Sequence, residues 1–187
     1  MKRVAVVGAE STGKSTLCAR LAQHYQTAWV PEYGREYTLE LAARLGAMDA
    51  IHWTEADFLQ IAEGQLAAEK EAQQHAAGLL ICDTDILAVS IWQERYLGTR
   101  NRAIEALASA HPIDLYLLTA CDVPFVADEI RDGEHFREWM TARFREVLDH
   151  KQLPFVELHG DWQQRFDQAA AAIDRLTASA SGTCRTS

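Results

Sequence analysis

The 187 residues contain no C-x-x-C pair, no basic block and no apolar run long enough to cross a bilayer. Each absence removes a class of protein. Cys18, Cys82, Cys121 and Cys184 are scattered, and three of them fall inside expected elements, so they read as reduced thiols of a cytoplasmic protein, neither a disulfide frame nor a zinc site. With 27 acidic side chains against 18 basic and a net charge of −9, the chain lacks the Lys and Arg clusters that hold nucleic-acid polymers and anionic membranes. Any phosphate recognition has to be local. The apolar run after Met1-Lys2-Arg3 breaks at Gly8, which makes it a first strand and not a signal peptide. Length and composition support one domain over residues 1–176, and the Ser, Thr, Ala and Gly of residues 177–187 are expected to form a disordered tail.

What is present is organised around the N-terminus. Val4-Ala5-Val6-Val7 reads as a strand, Gly8-Ala9-Glu10-Ser11-Thr12-Gly13-Lys14-Ser15 fits G-x-x-x-x-G-K-[ST], and Thr16-Leu17 continue into a helix. Glycines at both ends let the backbone curl round an anion, so that successive N–H groups point inward while the helix adds its positive N-terminal end. Residues 8–16, with Glu10, Ser11, Thr12 and Thr16 among them, are therefore the expected cradle for a nucleoside triphosphate. Lys14 would reach its β and γ phosphates and the Ser15 hydroxyl would sit on Mg²⁺.

Further strands follow at residues 27–30, 79–82, 113–119 and 153–158, alternating with helices that begin near Leu39, Thr54, Ile86, Ala103 and Asp161. The expected fold class is α/β, a P-loop NTPase three-layer sandwich with a five-stranded parallel sheet and a helical lid. Ligands in such sheets collect outside the carboxyl ends of the strands. Two strand ends there carry acid. Asp83 directly follows residues 79–82 in the Walker B arrangement, placed to hold the metal shell opposite Ser15; Asp85 is either a cap of the next helix or a reserve base. Pro31-Glu32-Tyr33-Gly34-Arg35-Glu36-Tyr37 reads as a polar turn, with Glu32 either the general base for an acceptor hydroxyl or the partner of Arg35 in a structural ion pair. Tyr33, Trp53, Trp92 and Tyr96 are aromatic enough to stack on a flat ring, or to serve as core.

The lid is expected at about residues 122–149. Phe136, Trp139, Met140, Phe144, Val147 and Leu148 give its helix one apolar face, and Arg131 and Arg137 are either the cations that cover a transferred phosphoryl group or solvated surface. Guanine-reading switches carry Asn/Thr-Lys-x-Asp after a late strand; Thr119-Ala120-Cys121-Asp122 lacks the Lys. AAA-type motors need a sensor and an oligomeric arginine region on a larger body. A small-molecule kinase fits these residues best, since it needs an acceptor hydroxyl in line, a base and cations.

Taken together, the P-loop, Val30-Pro31-Glu32-Tyr33-Gly34-Arg35-Glu36-Tyr37, Asp57-Phe58 with Ile61-Ala62 and Gly64-Gln65, Cys82-Asp83-Thr84-Asp85, Tyr96-Leu97-Gly98 and Asp122-Val123-Pro124-Phe125-Val126 resemble the ribosylnicotinamide kinase domain of NadR-type proteins. The likeness runs in matching order over residues 2–174. It implies ATP- and Mg²⁺-dependent phosphorylation of the ribose 5′-hydroxyl of nicotinamide riboside, giving nicotinamide mononucleotide for NAD synthesis. Members of that family carry a nucleotidylyl-transferase domain and sometimes a helix-turn-helix before the kinase; this chain begins at the kinase strand, so neither adenylylation nor repression is expected of it. Pro31-Glu32 at a strand end also resembles deoxynucleoside kinases, and a nucleotide-dependent regulatory module that phosphorylates nothing is the reading from a different class.

Overall fold

The computed structural model describes residues 1–125 and 134–181. Along β1 (Lys2–Gly8), Val4 and Val6 point to one face and Ala5 and Val7 to the other, as strand alternation requires, and all four are fully buried. A strand buried on both faces demands helices on both. The face of Val4 and Val6 is covered by Leu17 and Leu21 of α1 (Lys14–Tyr25) and by Ala169 and Ile173 of α7 (Trp162–Ser181). Ala5 and Val7 meet Leu87 and Ile91 of α4 (Ile86–Leu97) and Met140, Phe144 and Leu148 of α6 (Arg137–His150).

The sheet has order β2-β3-β1-β4-β5, every pair parallel, with β2 at Trp29–Val30, β3 at Leu79–Asp83, β4 at Leu115–Thr119 and β5 at Phe155–Leu158. The expected α/β sandwich is therefore the observed one. Its register matters for the site: Val6 lies beside Asp83 and Gly8 beside Thr119, so the carboxyl ends of three neighbouring strands meet at the P-loop.

A third apolar cluster joins α3 (Glu55–Ala72), α4 and α5 (Arg102–Ala110) through Phe58, Ile61, Ile86, Val89 and Ile104. Thr54 starts α3 with a reciprocal capping box: its hydroxyl accepts the Asp57 N–H while the Asp57 carboxylate accepts the Thr54 N–H at 2.8 Å.

Three expectations change. The polar turn at residues 31–37 is already helix from Tyr33, as α2 (Tyr33–Leu45), because Glu32 with extended backbone serves as its N-cap. The second half of the expected lid, α6, is a layer of the sandwich held by Met140, Phe144, Val147 and Leu148, whereas Phe136 and Trp139 stay exposed. Residues 126–133, which include Arg131, lie outside the described residues. Finally, α7 runs five residues past the expected stop at Leu176, to Ser181.

Candidate active site

The P-loop closes on itself through short polar contacts. The Thr12 hydroxyl donates to the Ala9 carbonyl at 2.8 Å and lies 2.7 Å from the Thr119 hydroxyl, so Thr12 holds the loop from inside. The Lys14 ammonium also donates to the Ala9 carbonyl, at 2.9 Å. Gly13 has φ +83°, and a Cβ there would come within 2.2 Å of the Trp162 ring, so both the backbone conformation and the packing require glycine. At Gly8 a Cβ would strike Thr119. The Ser15 hydroxyl donates to the buried Asp83 carboxylate. Ser15 at the start of α1 and Asp83 at the end of β3 are therefore neighbours.

From this loop a cleft of about 150 Å³ extends away from α1. Glu10, Lys14, Ser15, Glu32 and Arg35 line it together with the rings of Trp53, Phe58, Trp92 and Tyr96. The rings form a graded wall: Trp53 is 5.3 Å from Phe58 and 5.5 Å from Tyr96 between centroids, and Trp92 is stacked on Tyr96 at 6.4 Å. Burial pushes the Glu32 carboxyl up to about 7; Lys14 and Arg35 pull against it, while Asp83 and Glu10 add to the rise. An acid poised at that value can take a proton from an alcohol near neutral pH.

Of the described candidates outside the P-loop, Asp83, Arg137, Asp85 and Tyr33 do not line the cleft, and the last two are engaged elsewhere. Asp85 is fully buried, caps α4 by accepting the Ala88 N–H at 3.0 Å, and accepts the Tyr116 hydroxyl at 2.8 Å. It is a structural cap, and burial raises its pKa against those two hydrogen bonds. Tyr33 turns its ring onto α3, where a Cβ on Gly64 would sit 2.1 Å from it. Arg137, by contrast, is no surface arginine: it donates to the Val123 carbonyl at 2.8 Å and more weakly to Ser11 of the P-loop at 3.4 Å.

Sequence reasoning missed two arginines. Arg165 is almost wholly buried and donates to the carbonyls of Thr12, Gly160 and Ala120 at 2.8, 2.9 and 3.0 Å and to the Asp122 carboxylate. The segment that reads guanine in switch proteins is therefore anchored here by an internal guanidinium. Arg95 binds Glu10 at 2.6 Å and lies over the Trp92, Tyr96 and Phe136 rings at 5.1, 4.7 and 5.0 Å, linking the P-loop to the aromatic wall. Neither stands out locally, because each reads in the sequence as an ordinary helical arginine. Thr84, with φ +66° and lining the cleft, was likewise passed over.

A family model described as an AAA domain matches residues 3–165. The chain belongs to that family. The matched span runs from β1 to Arg165. Among individual proteins, the chain is 30% identical over 173 residues to the trifunctional NAD biosynthesis/regulator protein NadR of Escherichia coli K12, which covers 89% of this chain and 40% of that protein. The chain thus spans about two fifths of the length of the curated relatives it matches. A crystal structure of NadR protein in complex with NR superposes with a TM-score of 0.72 at 24% identity, covering 95% of this chain and 52% of the other. A second, in complex with NAD and AMP-PNP, gives 0.73 at 22%, covering 95% and 49%. These two likenesses establish a shared fold. No helix among the described residues is long and apolar enough to cross a membrane.

Proposed function

We propose that this chain transfers the γ-phosphoryl group of ATP to the ribose 5′-hydroxyl of nicotinamide riboside, giving nicotinamide mononucleotide. The observation that carries the reading is the make-up of the cleft: Glu32, with its pKa near 7, shares it with Lys14 and Ser15 of the P-loop and with a wall of rings from Trp53, Trp92 and Tyr96. A flat, positively charged nicotinamide ring stacks favourably on such a wall, which leaves the attached ribose to reach toward the phosphates. Similarity to NadR, one structure of which holds NR and another AMP-PNP, supports the same pair of ligands.

Glu32 would accept the hydroxyl proton as the oxygen attacks, and the P-loop amides with Lys14 would hold the phosphates in line. Arg137 contributes positive charge beside Ser11, and its Nε is buried without a hydrogen-bond partner among the described residues. Ser15 and Asp83 fit Mg²⁺, being hard oxygen donors already in contact. An ion held by Ser15 and Asp83 would supply positive charge against the charge that develops during transfer. We assign the reaction to the cytoplasm, where the buried thiols Cys18 and Cys82 stay reduced.

The test is riboside-dependent ADP release across a panel of nucleosides, with Lys14→Ala as the inactive control. Turnover with nicotinamide riboside and loss of it in Lys14→Ala is the expected result. Turnover confined to deoxynucleosides would transfer the assignment to that substrate class. Tight nucleotide binding with slow hydrolysis and no acceptor would favour a regulatory module instead.

A further inference from the structure

Short polar side chains at a helix N-cap fold back onto the N–H groups of the second or third helical residue; the longer glutamate side chain is not among the preferred caps. Glu32 occupies that position on α2 and makes no side-chain cap. The Tyr33 N–H goes instead to another helix, where the amide oxygen of Gln65 on α3 accepts it at 3.0 Å. Gln65 is 1% exposed, and its amide nitrogen lies 3.5 Å from the buried Glu69 carboxylate, which is itself held by Arg3 from the first strand. On the adjacent residue, Gly64 leaves the space that the Tyr33 ring fills. Two consecutive residues of α3 therefore dock the start of α2, one by a hydrogen bond and one by vacancy.

We propose that Gln65 is a positioning residue for Glu32: by accepting the N–H of the next residue, Tyr33, it fixes the backbone from which the Glu32 carboxyl group enters the cleft. The proposal rests on the reading of Glu32 as the base. Without the Gln65 acceptor, the start of α2 would lose this anchor and the Glu32 carboxylate its fixed placement relative to the acceptor hydroxyl. The Gly64-Gln65 pair thereby acquires a role in catalysis, although neither residue reaches the reacting atoms.

A double-mutant cycle tests this, with kcat and KM measured for ATP and nicotinamide riboside in Gln65→Met, Glu32→Gln and the combination. Methionine preserves the volume and removes the acceptor. Misplacement of the base on the scale of an ångström predicts a fall in kcat of about 10- to 100-fold for Gln65→Met, with ATP KM within about twofold of wild type. In the Glu32→Gln background the same change should cost nothing further. Gly64→Ala, which pushes on the Tyr33 ring, should show the same dependence on Glu32 and serves if the methionine variant folds poorly. An equal loss in both backgrounds, or a rise in ATP KM that tracks a lowered Tm, would overturn the positioning role. If Glu32→Gln is impaired while Gln65→Met turns over normally, the base reading survives and this proposal fails. If Glu32→Gln keeps full turnover, both fail.

Discussion

Replacing Arg165 by Met keeps the apolar stem and removes the guanidinium. Four acceptors lose their donor at once: the carbonyls of Thr12, Ala120 and Gly160, and the Asp122 carboxylate. These bonds are not additive, and Asp122 is partly exposed and recovers some solvation, so the figure for breaking one buried ion pair, about 3–5 kcal/mol, is the appropriate scale. For a domain of this length each kcal/mol lowers Tm by about 2–4 °C, which predicts a fall of about 6–20 °C in a thermal melt. Because Thr12 belongs to the phosphate loop, ATP KM should rise in the same variant at temperatures where it remains folded. Arg165→Lys, with one nitrogen in place of three, should fall between the two. A melt lowered by less than about 3 °C with unchanged ATP KM would refute the claim that this guanidinium fixes the loop.

Two further outcomes follow from the site. Since Glu32 must be ionised to accept a proton and its pKa stands at about 7, kcat should climb roughly tenfold per pH unit below about 7 and level off above it. A pH-independent kcat between pH 5.5 and 8.5 would remove Glu32 as the base. The same raised pKa costs stability as pH increases from the usual carboxyl value of 4.5 toward 7, because the unfolded chain releases that proton first; chemical denaturation of Glu32→Gln over that window should lack the slope. Asp85→Ala should lower stability by about 2–4 kcal/mol, from a lost helix cap and an orphaned Tyr116 hydroxyl, while KM for both substrates stays put. A kcat loss in Asp85→Ala matching that of Asp83→Asn, at unchanged Tm, would contradict its assignment as a cap.

The phosphate-binding loop could be read from the sequence because the physics that makes it is contiguous. The backbone N–H groups proposed to bind lie between Gly8 and Ser15, and tolerance of positive φ at Gly13 is a property of the residue itself. The alternation along β1 and the acid ending β3 are equally local, so strands, sheet class and the Ser15 and Asp83 pairing were all accessible. Glu32, Arg35, Trp53, Trp92 and Tyr96 were recognisable as candidates by type and position, and the cleft gathers all five. The same local signals favoured Asp83 over Asp85 but left Asp85 open as cap or reserve base, and they could not separate Tyr33 from the other aromatics. That depended on which way each side chain turned once α3 and α4 had packed.

Tertiary structure decided what the sequence could not. Arg165 joins residues 12, 120, 122 and 160, and Gln65 reaches Tyr33, contacts that exist only after the order β2-β3-β1-β4-β5 has brought distant loops together. The fold also decided how far Glu32 is removed from water, and hence its affinity for a proton, a property set mostly by burial and by Lys14, Asp83 and Glu10, with Arg35 the one contributor close along the chain. Sequence by itself determined the phosphate grip; the assembled fold determined the acid, the aromatic wall and the buried guanidinium that make the grip usable.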